Sequence, residues 1–445
     1  MPLRPLLCAG LLLGLSGCVA YAPAPLDPAR LAEPRSDAVL PADRLALLGL
    51  ALDRSPAVAA ARASLTAAEA GARAARKLPA MTLTLTAEYS KEADAQRPWL
   101  YGGSLGVPVD TGGRRTARVT SADLAVVKAR YAIGDAVWTT RQSLMQALSD
   151  RAGARARITA LQALIDQRAR YAALIDRRAA AGEDSRIPAV QARLDTATLR
   201  NDLMAADAKR AQAEAELARL LAVPAARIAA LPDIEASDTV PDAATLDGMA
   251  GRALYVRADV LNAVVDYDSA ENDLRAAIAG QYPDINLAPG YTWERGVKKW
   301  PLVGTLTLPQ LDGNRANIDQ ARAAREAAGH TLEDQVRTTL AAVTQASDTY
   351  ASDTALAAKA RSEDVPLAEN LAARTERMTR AGETDATDRL TADIALAQAR
   401  LSAGDAVQTQ ADDRLKLEDA LHQAFDPAET AILVAATAAD KEVHK

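Results

Sequence analysis

The stretch MTLTLTAEYS, residues 81–90, alternates apolar and polar side chains without a slip. Leu83, Leu85, Ala87 and Tyr89 fall on one face of an extended chain, and Thr82, Thr84, Thr86 and Glu88 on the other. A period of two marks a half-exposed strand, so a β-strand is expected over 81–90. Further strands are expected over 101–109, after a loop carrying Asp94 to Pro98, and over 284–294 and 301–308. In the third, Ile285, Leu287, Pro289, Tyr291 and Trp293 share a face, with Asn286, Thr292 and Glu294 opposite.

The rest of the chain has the period of helices. One is expected over 41–77 and is stopped by Pro79, because proline lacks the N–H and disfavours helix in the residue before it. From Arg114 to Ala181 there is no proline, and such a helix is about 100 Å long. Leu161, Leu164, Tyr171 and Ile175 keep a coiled-coil rhythm on it, while Gly134 and Gly153 weaken it locally. Gly182 turns the chain into a return helix over 186–221. The second half predicts the same series: a helix over 244–279, the strands, a helix over 315–380, a turn at Gly382, and a return helix over 387–425. Pro366 predicts a kink in the second long helix.

Landmarks recur in one order about 200 residues apart, the mark of an internal duplication. Pro108, Gly112 and Arg114, where a strand feeds a helix, answer Pro309, Gly313 and Arg315. Ala181-Gly182-Glu183 answers Ala381-Gly382-Glu383, Ala51-Leu52 answers Ala253-Leu254, and Leu78-Pro79 answers Tyr282-Pro283. The fold class expected is mainly α with a small β part: two repeats, 41–222 and 244–425, each a long antiparallel helical hairpin with two strands. The linker 223–243, the segment 18–40 and the tail 426–445 read as irregular.

Aromatic residues make up only 3% of the chain, with a single Phe, which favours long helices packed through small side chains. Three of the four Trp sit in the strand pairs, with Tyr89, Tyr101, Tyr282 and Tyr291. Tyr89, Trp99, Tyr101, Tyr291, Trp293 and Trp300 make an interfacial girdle if the strands cross a membrane. Four strands cannot close a barrel, which needs about eight, and an open sheet edge does not persist in hydrocarbon. Several chains must then share one barrel. The alternative is a lipid-anchored helical scaffold without a pore, in which the strands merely cap a bundle.

The start, MPLRPLLCAGLLLGLSGC, has Arg4, an apolar run over 6–15, and small residues before Cys18. It reads as a signal peptide over 1–17 of the lipoprotein type, with Cys18 as the lipidated residue. With Cys8 removed and Cys18 lipidated, no thiol is left for a disulfide or metal. The three His are far apart, and no catalytic or phosphate-binding motif is present, so neither enzymatic activity nor a cofactor is expected. The net charge of −6 is spread without a basic stripe, which argues against nucleic acid.

Two repeats of helix, strand, strand, long helix, turn and helix, with the A-G-E turns and a lipoprotein start, resemble the TolC family of outer-membrane efflux proteins over the whole mature chain. The resemblance implies a homotrimer whose strands form one outer-membrane β-barrel above a periplasmic tunnel of helices. It also implies a periplasmic adaptor and an inner-membrane pump of the RND type as partners. Under it the turns at Gly182, Glu183, Gly382 and Glu383 dock the adaptor, and Asp388, with Thr391 one turn on, narrows the pore. A ring of Asp388 carboxylates would repel anions and attract cations. The position in the first repeat that answers Asp388 is Pro188. Substrate stays open between drugs and metal cations, as does service in type I protein secretion.

Overall fold

The structure is a computed structural model that describes residues 21–28, 40–91, 98–183, 185–234, 240–309 and 312–438. The chain divides into two compact units, 1–38 and 39–445. In the first, residues 21–27 carry neither helix nor strand; the expected signal peptide and Cys18 lie outside the described residues.

The second unit opens with α1 (Arg44–Arg54) and α2 (Pro56–Arg76), where one helix over 41–77 is expected. The break follows from Pro56, which forces Ser55 into an extended conformation; Ser55 Oγ then accepts the Val58 N–H and caps α2. Strands β1 (Thr82–Tyr89) and β2 (Trp99–Val109) follow, the second starting two residues earlier than its pattern suggests, so that Trp99 belongs to it. Residues 94–97 of the expected loop lie outside the described residues. Helix α3 (Arg114–Ala180) is unbroken, and α4 (Ile187–Leu221) returns along it.

The linker is not irregular throughout. It holds a short helix α5 (Ala225–Ala229), with Ile228 and Leu231 buried. The Arg151 guanidinium of α3 donates to the carbonyls of Leu231 (2.5 Å) and Pro232 (3.0 Å). In the second repeat one expected helix is again two, α6 (Ala243–Val256) and α7 (Ala258–Ala279). No proline causes this break. Arg257 is extended there, and its guanidinium donates to the carbonyls of Asp419 (3.1 Å) and Ala420 (2.8 Å). Arg54 does the same for Leu221 (2.7 Å), so each break sits beside an Arg that caps the return helix of its own repeat.

Strand β3 (Asp284–Glu294) turns through Arg295 and Gly296, both at positive φ, straight into β4 (Val297–Lys299). The fourth strand thus begins at Val297 and not at 301; a two-residue turn with both residues left-handed suits a tight hairpin. It pauses at Trp300 and Pro301, since proline has no N–H for the ladder, and continues as β5 (Leu302–Thr307) in the same register against β3. The sheet is antiparallel, in the order β1–β2–β3–(β4, β5).

Helix α8 (Arg315–Lys359) is followed by a π-helical turn over Ala360–Asp364 and by α9 (Val365–Ala381). The disturbance expected from Pro366 takes this form: the ladder slips one residue ahead of the missing N–H. Helix α10 (Ala386–Leu421) returns and stops short of the expected 425, because His422 adopts a left-handed conformation that terminates it, as Ala222 does for α4. The tail is not irregular either. Helix α11 (Pro427–Ala438) packs on α1 and α3; residues 439–445 lie outside the described residues. Among the described residues no helix is long and apolar enough to cross a membrane.

Candidate functional site

The duplicated transitions share one backbone turn. Gly112 and Gly313 have the same φ, +66°, and the residue after each, Gly113 or Asn314, is left-handed too and stands at the N-cap of a long helix. Pro108 lies in β2, and Pro309 just follows β5. Arg114 reaches from the first repeat to the second, donating to both oxygens of Asp284 (2.6 Å) and to the carbonyl of Tyr282 (3.1 Å). Arg315, its counterpart, forms no salt bridge to a described residue.

The sheet has one apolar face. Through the register, Leu83, Leu85, Ala87 and Tyr89 lie opposite Leu105, Gly103, Tyr101 and Trp99. Trp293, Tyr291, Leu287 and Ile285 oppose Tyr101, Gly103, Val107 and Val109, and Leu306, Gly304 and Leu302 complete the face. The aromatics form a row at the end away from the helices: Tyr89–Trp99 (5.0 Å between ring centroids), Trp99–Tyr101 (5.7 Å), Tyr101–Trp293 (6.1 Å) and Tyr291–Trp300 (4.9 Å). The other face carries Thr82, Thr84, Thr86, Gly102, Ser104, Gly106, Asn286, Gly290 and Thr292, small groups that leave room above them.

Every level of this unit is four elements wide. The order is β1–β2–β3–β5 in the sheet, α2–α3–α7–α8 in the helices that enter it, and α4–α3–α10–α8/α9 along the hairpins. The middle seam, where the first repeat meets the second, is tied along the length of α3. Lys128 pairs with Asp266 (2.5 Å), Trp138 Nε1 donates to Asp419 (2.8 Å), Ser149 donates to Asp412 (3.1 Å), and Arg157 pairs with Asp405. Arg141, 1% exposed, is held by Glu418 of α10 and Glu429 of α11, and Arg44 also pairs with Glu429. The outer elements instead expose apolar rows: Ile187, Val190, Leu194 and Met204 on α4, and Leu356, Leu367, Leu371 and Met378 on α8 and α9.

Both hairpin turns close alike. The Glu183 N–H donates to the Arg178 carbonyl and the Glu383 N–H to the Met378 carbonyl, each 2.9 Å, around Gly182 and Gly382 at positive φ. Asp388 is exposed in the first turn of α10, and Thr391, also exposed, spends its hydroxyl on the Thr387 carbonyl (2.9 Å). The sequence reading missed the group that organises this end. Asp385 caps α10 by accepting the N–H groups of Thr387 (2.8 Å) and Asp388 (3.0 Å), and it pairs with Arg178 of α3 (2.6 Å). The Asp388 N–H first, then Arg178, holds its carboxyl below the usual range. An Asp just before a helix is a legible cap. Its partner, more than a hairpin away in sequence, is not legible. The same holds for Arg141 and Arg151. Among the described residues no group of His, Cys, Asp or Glu is placed to hold a metal ion.

A sheet with one apolar, aromatic-fringed face and two open edges feeds a four-wide row of long helices, an arrangement that solved outer membrane channels share. The comparisons agree. Residues 47–223 match the model of the outer membrane efflux protein family. The outer membrane protein VceC of Vibrio cholerae is similar in structure, with a TM-score of 0.68 at 21% identity, over 85% of this chain and 96% of that one. The Campylobacter jejuni CmeC outer membrane channel gives 0.69 at 13% identity, over 95% and 97%. The open state of the Neisseria gonorrhoeae MtrE outer membrane channel gives 0.66 at 19%, over 88% and 94%. No curated protein sequence matches significantly. The sequence of the first repeat thus matches the outer membrane efflux proteins, and the chain as a whole shares the fold of these solved channels.

Proposed function

We propose that the protein is the exit duct of a tripartite efflux system and works as a homotrimer, anchored through a lipid on Cys18. The observation that carries this is the four-wide order at every level, with the open edge always formed by the first repeat on one side and the second on the other. Such edges suit a head-to-tail contact that repeats until it closes as a ring. Three copies would pair β1 of one with the β4/β5 strand of the next, which removes the sheet edges that hydrocarbon cannot tolerate. The apolar face then meets lipid, and the Thr-, Ser- and Gly-rich face lines a wide polar lumen.

The duct does no chemistry. Its hydroxyl-lined barrel offers weak, unspecific contacts, so transport through it is passive and an inner-membrane pump supplies the energy. The turns at Gly182, Glu183, Gly382 and Glu383 would receive a periplasmic adaptor, and three Asp388 carboxylates near the axis would narrow the pore and favour cations. The test is electron microscopy of the detergent-solubilised protein together with conductance in planar bilayers. Hollow particles with threefold symmetry that conduct ions support the duct. Compact monomers that leave the bilayer silent refute it and return the strands to caps on a scaffold.

A further inference from the structure

The apolar face of the sheet is broken by one charge. Lys298 stands directly across from Trp293, so its ammonium leaves the sheet on the lipid side at the level of the aromatic row. The two charges beside it neutralise each other on the opposite face: Lys299, across from Thr292, pairs with Glu294. Lys298 is left exposed and forms no salt bridge with a described residue. Neither does Arg295, the first residue of the two-residue turn just beyond it.

Lysine is costly on a lipid-facing strand at the bilayer centre but tolerated near the interface, where a long side chain reaches the headgroups. Here it does so with no salt bridge to a described residue, level with Trp293 and below a second exposed cation, Arg295, whose charge acts on the neighbouring Glu294. That arrangement fits an anion fixed at headgroup depth whose own body is apolar. This end of the sheet is the one away from the helices. If the helices are periplasmic, it faces the outer leaflet.

We propose that the Arg295–Lys298 hairpin end binds a phosphorylated glycolipid of the outer leaflet, its phosphate on Lys298 and Arg295 and its acyl chains along Trp293 and the apolar face. The inference rests on the outer-membrane reading above and adds to it a lipid contact repeated on every protomer.

The test is native mass spectrometry of the full-length assembly in detergent, offered in turn bis-phosphorylated lipid A, the same lipid dephosphorylated, and phosphatidylglycerol. The phosphorylated glycolipid should be retained preferentially, and the double variant R295Q/K298Q should lose that retention by roughly tenfold with oligomer mass and conductance unchanged. Equal retention by the double variant, by the dephosphorylated lipid or by phosphatidylglycerol overturns the proposal while leaving the duct intact. A chain that takes up no detergent overturns the membrane reading and this inference with it.

Discussion

Gly112 and Gly313 share a backbone angle but differ in what surrounds them. A Cβ on Gly112 would meet Tyr282 Cδ2 at 2.5 Å and the Ala279 carbonyl oxygen at 2.9 Å, whereas one on Gly313 would meet nothing within 4 Å. Gly112→Ala should therefore destabilise by roughly 2–4 kcal/mol, strain plus overlap, and Gly313→Ala by about 1 kcal/mol from strain alone. Thermal melts of the two variants check this, and equal losses would show that the Tyr282 contact yields freely. At Arg141 the loss is electrostatic. Arg141→Met would leave buried Glu418 paired with Arg414 alone and buried Glu429 with Arg44 alone, and should cost about 3 kcal/mol in denaturant titration. His422 adds a pH dependence. Burial, and then the Arg257 guanidinium, lower its pKa to about 4, while Asp419 and Asp259 oppose them and Trp138 packs on the ring (4.4 Å). The folded pKa lies below the unfolded one near 6.5, so the folded state binds fewer protons and stability falls as pH drops from about 6.5 to about 4. The loss should approach roughly 3 kcal/mol. His422→Asn, which tolerates the left-handed backbone, should flatten that slope; an unchanged slope would assign the acid sensitivity to other groups.

Strand β1 is exposed along its whole length and strand β5 likewise, so nothing in the single chain accounts for their apolar faces. Lipid does. Leu85→Asp and Leu287→Asp should each cost a few kcal/mol per copy in hydrocarbon and abolish insertion into the outer membrane, read by membrane fractionation. A scaffold without a barrel would take both changes with little effect. Strand existence and the inward and outward faces were legible in 81–90 and 284–294 because a period of two survives any packing. The limits of the fourth strand were not. Its start depends on a turn through Arg295 and Gly296, and only the register against β3 shows that Val297–Lys299 and Leu302–Thr307 are one strand. The break at Pro56 could be read from proline, but the one at Arg257 could not, since its cause is the distant end of α10.

For the whole molecule the open edges carry the argument. The exposed rows on α4 and on α8/α9 cover overlapping stretches, 5–22 residues from Gly182 and 4–26 from Gly382, so in the proposed trimer α4 of one copy can run against α9 of the next. Val190→Asp together with Leu194→Asp should prevent trimer formation, seen by mass photometry, while helical circular dichroism stays within error. These side chains are exposed in the single chain, so a loss of helix instead would show that they stabilise the protomer itself. Arg315 fits this picture. Its counterpart Arg114 binds the second repeat of its own chain, and around a ring Arg315 would find the first repeat of the next.

The sequence by itself determined the duplication, the strand faces, the long helices and their glycine turns. Each of these rests on local periodicity or on backbone conformations that only certain residues adopt. It pointed to Gly182, Gly382, Gly112 and Gly313 for that reason, and all four have positive φ. What the tertiary structure decided are the pairings between residues far apart in the chain. They include the seam from Arg114–Asp284 to Arg178–Asp385, the burial of Arg141 and Arg151, and the order of elements that leaves one edge to each repeat. An isolated Arg or Asp looks the same in sequence whether it is solvated or paired, so these contacts leave no local trace. Only folding brings the two repeats side by side, and only then does the chain show the two edges that ask for further copies.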